Sequence, residues 1–220
     1  MTTTQPKPNR LFVAIGLPFG MTEVFAQWQQ MLPKHCQQTP RENMHITLQF
    51  IGPANRHAVH AALKQISAKS FKLHITRFGY FRSDSGAILW AGVTPRASLL
   101  RLQGSITAAL ATLGISSITS DYRPHLTLAR CSSDVNNKDL AQLLAQKPPR
   151  LTLSVLEFGL YSSQPGTDAS SYQCLHPLFA QRRLILQSTS VRSPVDRGLM
   201  VRLQVAIALR KMSTAEETPM

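Results

Sequence analysis

The sequence predicts an α+β fold made of two copies of one unit, and three observations carry that prediction. The tetrapeptide His-x-Thr-Leu occurs twice, at His45–Leu48 and His125–Leu128, 80 residues apart. Phe78-Gly79 recurs at the same offset as Phe158-Gly159, with Leu73 over Leu153 and Ile75 over Val155. One order of strand and helix patterns runs through both copies. We expect a bilobal molecule. Its two lobes are related by a pseudo-twofold axis, each with an antiparallel sheet and flanking helices, and equivalent strands face one another across a cleft.

The elements follow in order. Residues 11–18 (LFVAIGLP) read as a strand stopped by Pro18. In 21–32, Met21, Val24, Phe25, Trp28, Met31 and Leu32 recur at helical spacing, with Thr22 as the expected cap. Residues 33–44 are polar and contain proline, so a loop is expected there. The first His strand runs over 45–52 (HITLQFIG) and ends at Gly52-Pro53, followed by a helix at about 55–68. Residues 71–81 alternate as a strand, and 82–86 (RSDSG) form a turn.

The series then restarts. A proline-ended strand (88–95) precedes a helix (97–113) with Gly114 as its C-cap, and a polar loop leads into the second His strand, 125–132 (HLTLARCS). A helix at 137–146, a strand at 151–161, a Ser/Gly/Thr-rich loop at 162–171 and a closing edge strand at 172–179 complete the set. Residues 1–9 read as a loose leader, 10–183 as the two-lobed domain and 184–220 as an extension outside the repeat. Within that extension 199–212 has a helical, apolar pattern.

Composition narrows the class. The chain has 220 residues, 43% of them hydrophobic and 16% charged, which favours a globular core over disorder. No apolar run reaches the ~18 residues of a membrane span, and the N-terminus lacks the apolar stretch of a secretory leader; a cytoplasmic protein is expected. Cys36, Cys131 and Cys174 are widely spaced and make no Cys-x-x-Cys pattern, so unpaired thiols are expected. The net charge of +13 favours a polyanionic partner, most simply nucleic acid.

Strand alternation puts His45 and Thr47 on one face, with Ile46, Leu48 and Phe50 on the other, and it treats His125 and Thr127 in the same way. Two imidazoles converging on a phosphodiester suit general acid–base catalysis, one neutral and one protonated near neutral pH. Two threonine hydroxyls can donate to the phosphate oxygens. This chemistry needs no metal and no cofactor. His74 also fits His-x-Thr, but Ser154 stands at its 80-residue equivalent, so it is set aside, as are His35, His57, His60 and His176.

At this point the chain resembles the two-histidine phosphoesterase superfamily, and within it the RNA 2′,3′-cyclic phosphodiesterase, or 2′-5′ RNA ligase, family. The residues that carry the resemblance are RLFVAIGLP (10–18), NMHITLQFIG (43–52), LWAGV (89–93), RPHLTLAR (123–130) and YQCLHPL (172–178). The resemblance implies hydrolysis of a terminal RNA 2′,3′-cyclic phosphate, as on tRNA fragments, to a 2′-phosphate, with a weak reverse 2′-5′ ligation. It implies His45 as proton donor and His125 as proton acceptor, with Thr47, Thr127 and Arg130 on the phosphate and Phe50 near the terminal base. Simple alternation turns Arg130 away from His125, so its role requires a bulge or a strand end. The same alternation gives Phe50 to the core. The alternatives are a two-histidine enzyme for a small cyclic nucleotide, an ADP-ribose cyclic phosphate or a 2′-5′ oligonucleotide, and a non-catalytic module that grips RNA ends. The sequence carries no indication of oligomeric state.

Overall fold

Apolar residues recurring every second position pack the strands onto the helices. The computed structural model describes residues 10–94, 96–116, 122–164 and 171–179. The leader, the extension from 184 and its helical stretch at 199–212 lie outside the described residues, as does the loop at 165–170.

The elements are β1 (Arg10–Gly16), α1 (Phe19–Gln29), β2 (Cys36–Gln38), β3 (His45–Gly52), α2 (Arg56–Lys64), β4 (Phe71–Ser83), β5 (Gly86–Thr94), α3 (Arg96–Ala111), β6 (His125–Cys131), α4 (Asn137–Ala145), β7 (Thr152–Val155), β8 (Glu157–Gln164) and β9 (Ser171–Phe179). The strands form one curled antiparallel sheet in the order β7-β4-β5-β6-β3-β1-β8-β9, with β2 added beside β6. The expectation of a separate sheet in each half is corrected: β3 and β6 join the halves through the register pair Ile46↔Leu126. Outward from that junction the order is β3, β1, β8 on one side and β6, β5, β4 on the other.

Helices take one face of this sheet. Phe25 and Trp28 of α1, Val59 and Leu63 of α2, Leu99, Leu102, Ile106 and Leu110 of α3, and Leu140 and Leu143 of α4 enter one apolar cluster with Ile46, Leu48, Leu126 and Leu128. Trp28 stacks on Phe78 with ring centroids 4.4 Å apart. At ~25 cal/mol per Å² of apolar surface removed from water, this shared core is the main stabilising term.

Local chemistry sets the element ends. Asn55 caps α2 by accepting from the His57 and Ala58 amides. After α3, Gly114 adopts φ +73°. Its N–H donates to the Ala111 carbonyl and the Ile115 N–H to the Leu110 carbonyl, the expected Gly114 C-cap. Thr22 is not the cap of α1: the helix starts at Phe19, and the Thr22 hydroxyl donates to the Phe19 carbonyl inside its first turn.

Two further expectations are corrected. The loop at 33–44 contains β2 and a 3₁₀ turn, Arg41–Asn43. The cysteines are not all unpaired: β2 places Cys36 directly opposite Cys131 of β6, and the two are joined in a disulfide, with Cys174 free. Sequence spacing could not show this, because only the β2–β6 pairing brings residues 95 apart together.

Candidate active site

Each His-x-Thr pair opens a strand at the centre of the sheet, on the face away from the helices. His45 and Thr47 are half-buried while Ile46 and Leu48 are buried; His125, Thr127, Leu126 and Leu128 repeat the pattern. A glycine lies opposite each histidine on the neighbouring strand, Gly16 beside His45 and Gly92 beside His125. A Cβ on Gly16 would sit 2.9 Å from the Tyr161 hydroxyl, and one on Gly92 3.2 Å from the Thr76 hydroxyl, so a side chain at either position would press on the groups packed there.

The rings are oriented identically. His45 Nδ1 donates to the Asn43 carbonyl at 2.6 Å, and His125 Nδ1 donates to the Arg123 carbonyl at 2.6 Å. A carbonyl only accepts, so each neutral ring carries its proton on Nδ1 and leaves Nε2 free to exchange one. The Thr47 hydroxyl donates to His45 Nε2 at 3.0 Å. The Thr47 carbonyl accepts from the Tyr122 hydroxyl at 2.9 Å, which ties the segment before β6 to β3.

Alternation breaks just after each His-x-Thr, at equivalent places, and β3 shifts register once more near its end, at Ile51. Against β1, Ala14 pairs with Thr47 but Val13 pairs with Gln49, so Leu48 is an extra residue. Against β5, Trp90 pairs with Thr127 but Leu89 pairs with Ala129, so Leu128 is extra. These bulges reverse the phase of the pleat. Leu48 and Gln49 are both buried and Phe50 is exposed; Leu128 and Ala129 are both buried and Arg130 is exposed.

Arg130 therefore meets the requirement placed on it. Phe50 is a correction, because it is 56% exposed and not part of the core. It lies 6.2 Å from Phe12, whose ring is 5.1 Å from His45. The bulge in β6 is held from a distance: the Leu128 carbonyl accepts from the Thr39 amide at 2.9 Å and from buried Gln29 Nε2 at 2.6 Å.

Electrostatics brings the groups together. His45 sits below its ordinary pKa of 6.5 because burial strips its solvent; the Asn43 carbonyl opposes this, and the charges of His125 and Arg130 add to it. His125 is also held low, by burial, against the Arg123 carbonyl and with the field of Arg130. One guanidinium thus acts on both imidazoles. Aromatic rings wall the pair: Tyr172 meets His45 edge-on at 5.2 Å, and Phe81 meets His125 edge-on at 5.0 Å. Beside His45 a cavity of about 540 Å³ is lined by Phe19, Arg41, Tyr161, Tyr172 and Cys174, within the size range of small-molecule sites.

The set-aside histidines stay apart from this pair. His74 Nδ1 bonds the Thr152 hydroxyl at 3.0 Å, and His60 stacks on His176 at 3.9 Å. No cluster of three or more metal-ligating side chains occurs among the described residues, and no described helix is long and apolar enough to cross a membrane. Sequence reasoning missed Gly16, Gly92, Phe81 and Tyr161. One indication was available, since Phe81 and Tyr161 lie at the 80-residue offset and flank His125 and His45 respectively.

The family model described as 2′-5′ RNA ligase superfamily matches residues 22–167. An RNA 2′,3′-cyclic phosphodiesterase of Escherichia coli K12 is 28% identical over 167 residues, covering 71% of this chain and 88% of that protein. One of Methanocaldococcus jannaschii is 29% identical over 134 residues, covering 60% of this chain and 76% of its own. The crystal structure of E. coli LigT complexed with 3′-AMP superposes with a TM-score of 0.67 at 24% identity, covering 80% of this chain and 99% of that one. At that identity the superposition establishes the fold.

Proposed function

This chain belongs to the 2′-5′ RNA ligase superfamily, and from that premise we propose that it hydrolyses the 2′,3′-cyclic phosphate at RNA ends to a 2′-phosphate. The observation that carries the reading is the pair of imidazoles with matched tautomers, both under the field of Arg130. The relatives named RNA 2′,3′-cyclic phosphodiesterase support the substrate.

In this reading the cyclic phosphate lies between His45 and His125. His125, neutral, takes a proton from water through Nε2 as the water oxygen attacks phosphorus. His45, protonated, gives its Nε2 proton to the departing O3′, so one P–O bond forms and one breaks. The Thr47 and Thr127 hydroxyls donate to the non-bridging oxygens, and Arg130 offsets the charge that builds on them. Phe50 offers an exposed ring on which the terminal base can stack. With a 5′-hydroxyl in place of water, the same groups would open the cyclic phosphate, expel O3′ and leave a 2′-5′ linkage. The strand order about the β3–β6 junction supports two lobes related by a pseudo-twofold axis, each giving one His-x-Thr to a shared centre.

The test is product analysis on a short RNA ending in 2′,3′-cyclic phosphate, with EDTA present. The expected product carries a 2′-phosphate and forms undiminished under chelation. A 3′-phosphate product, or activity abolished by EDTA, would overturn the mechanism.

A further inference from the structure

The two sides of the catalytic face differ in charge. On the His45 side the neighbours are aromatic: Phe12, Phe50, Tyr161 and Tyr172. Arg41, at the edge of that side, is neutralised by an ion pair with Glu23. On the His125 side, β4 from Phe71 to Arg82, β5 from Ala87 to Thr94, β6 and β7 contain no Asp or Glu. Lys72 and Arg77 are exposed on β4, as Arg130 is on β6.

The register aligns these groups into a path. Beside His125 on β5 lies Gly92, and beside Thr127 lies Trp90. Beside Trp90 on β4 lies Gly79. A Cβ at Gly79 would fall 2.3 Å from the Trp90 ring, and one at Gly92 would fall 3.3 Å from it. The indole therefore lies flat across two glycines, with its centroid 6.4 Å from that of His125.

Between Ile75 and Phe78 a bulge adds one residue to β4. That bulge turns both Thr76 and Arg77 toward Gly92: a Cβ there would meet the Thr76 hydroxyl at 3.2 Å and Arg77 Cγ at 3.6 Å. The Arg77 guanidinium then sits over the indole, 5.7 Å from its centroid. Farther along the same face of β4 come His74 and Lys72, which are exposed while Leu73 and Ile75 are buried. A π-face roofed by a cation, continued by a second cation on an acid-free surface, is the combination that holds single-stranded nucleic acid.

We propose that β5 and β4 form a track for the single-stranded RNA 5′ of the cyclic phosphate, with Arg77 and Trp90 holding the nucleotide next to the terminal one and Lys72 a later phosphate. This rests on the hydrolase reading above and adds where the body of the substrate lies. Two strand spacings, about 10 Å, separate β6 from β4. A mononucleotide 2′,3′-cyclic phosphate has no residue 5′ of the terminal one to lie along Trp90 and Arg77, whereas an oligonucleotide has.

The test compares a 2′,3′-cyclic mononucleotide with a ten-nucleotide RNA ending in 2′,3′-cyclic phosphate. It also measures, by fluorescence anisotropy, binding of a labelled ten-nucleotide RNA ending in 2′-phosphate. The wild-type KM should be at least tenfold lower for the long substrate. Arg77→Ala should raise that KM about tenfold with kcat unchanged, leave the mononucleotide constants alone, and reduce the slope of log affinity against log salt by about 0.7. Arg77→Lys should recover the salt slope. Arg101→Ala, on the helix face, is the charge-matched control and should change nothing. Equal effects on both substrates, equal effects of Arg77→Ala and Arg101→Ala, or a wild-type KM independent of length would each overturn the track. If wild type opens neither substrate, the hydrolase reading fails, and the anisotropy series still decides the track by the same criteria.

Discussion

Replacing Gln29 by Leu separates the fold from the site in one measurement. Gln29 is 2% exposed, and its Nε2 donates to the carbonyls of Leu128 at 2.6 Å and Thr39 at 2.9 Å. Leucine keeps the volume and removes both donations. The Leu128 carbonyl still has the Thr39 amide, but the Thr39 carbonyl loses a partner. At about 1 kcal/mol per net hydrogen bond the cost is about 2 kcal/mol, or a fall in Tm of roughly 4–8 °C for a chain of this size.

The functional consequence follows from the bulge, which points Arg130 toward both histidines. If Gln29 holds the bulge, loosening it moves the guanidinium away. Both imidazoles then titrate higher, and kcat/KM falls beyond what lost folded protein explains. The assay is thermal denaturation alongside kcat/KM against pH on a cyclic-phosphate substrate. A lowered Tm with an unmoved pH profile and unchanged kcat/KM would refute the link between Gln29 and Arg130. An unchanged Tm would refute the energetic argument itself.

His45→Ala and His125→Ala should each lower kcat by ~10²–10⁴, and the double variant should lose little more than the worse single one, because the two act as a unit. Steady-state kinetics on all three checks this. In the proposed mechanism the active form has one imidazole protonated and one neutral, and both are held below 6.5. The kcat/KM profile should therefore peak on the acid side of 6.5 and fall as pH rises, while Arg130→Gln, which removes a positive field from both rings, should move the peak alkaline. An acid shift in that variant would contradict the assignment. Because folding lowers these pKa values, the folded state binds fewer protons than the unfolded one; stability from these groups is present above 6.5 and lost as pH falls below it, readable as Tm against pH. Reduction of the Cys36–Cys131 bond, or Cys36→Ser, should lower stability by up to about 4–5 kcal/mol, the chain-entropy value for a loop of ~100 residues; denaturant titration with and without reductant measures it.

What the sequence made legible is local or repeated. His45, Thr47, His125 and Thr127 could be read because alternation and one offset both point to them. Gly114 and the ends of β3 and β9 were legible from neighbouring residues. Phe50 and Arg130 were not, since their facing depends on bulges fixed by partners far along the chain; Gln29 and Leu128 are 99 residues apart. The strand expected over 151–161 hides a break between β7 and β8 at Leu156, 44% exposed, for the same reason. β7 pairs with β4 and β8 with β1, and no pattern within the segment reports a change of partner.

The proposed mechanism adds a proton on one side and removes one on the other, so two related halves serving it cannot be exactly equal. The register shows where the halves part company. Rows Thr47–Ala14–Gly159 and Thr127–Trp90–Gly79 hold equivalent places, as do rows Phe50–Phe12–Tyr161 and Arg130–Ile88–Phe81. The first comparison sets a methyl group against an indole; the second sets an aromatic ring against a guanidinium. Both imidazoles share one tautomer and one kind of carbonyl anchor, so the ring environments alone do not assign acid and base. The assignment must come from how the substrate lies. An exposed ring on the His45 side suits a base, and cations on the His125 side suit phosphates. A cyclic phosphate presented between them would then meet one histidine in line with its leaving oxygen and the other in line with water. On the proposed reading, Phe50 and Arg130 would orient the terminal nucleotide and so decide which histidine gives the proton and which takes it.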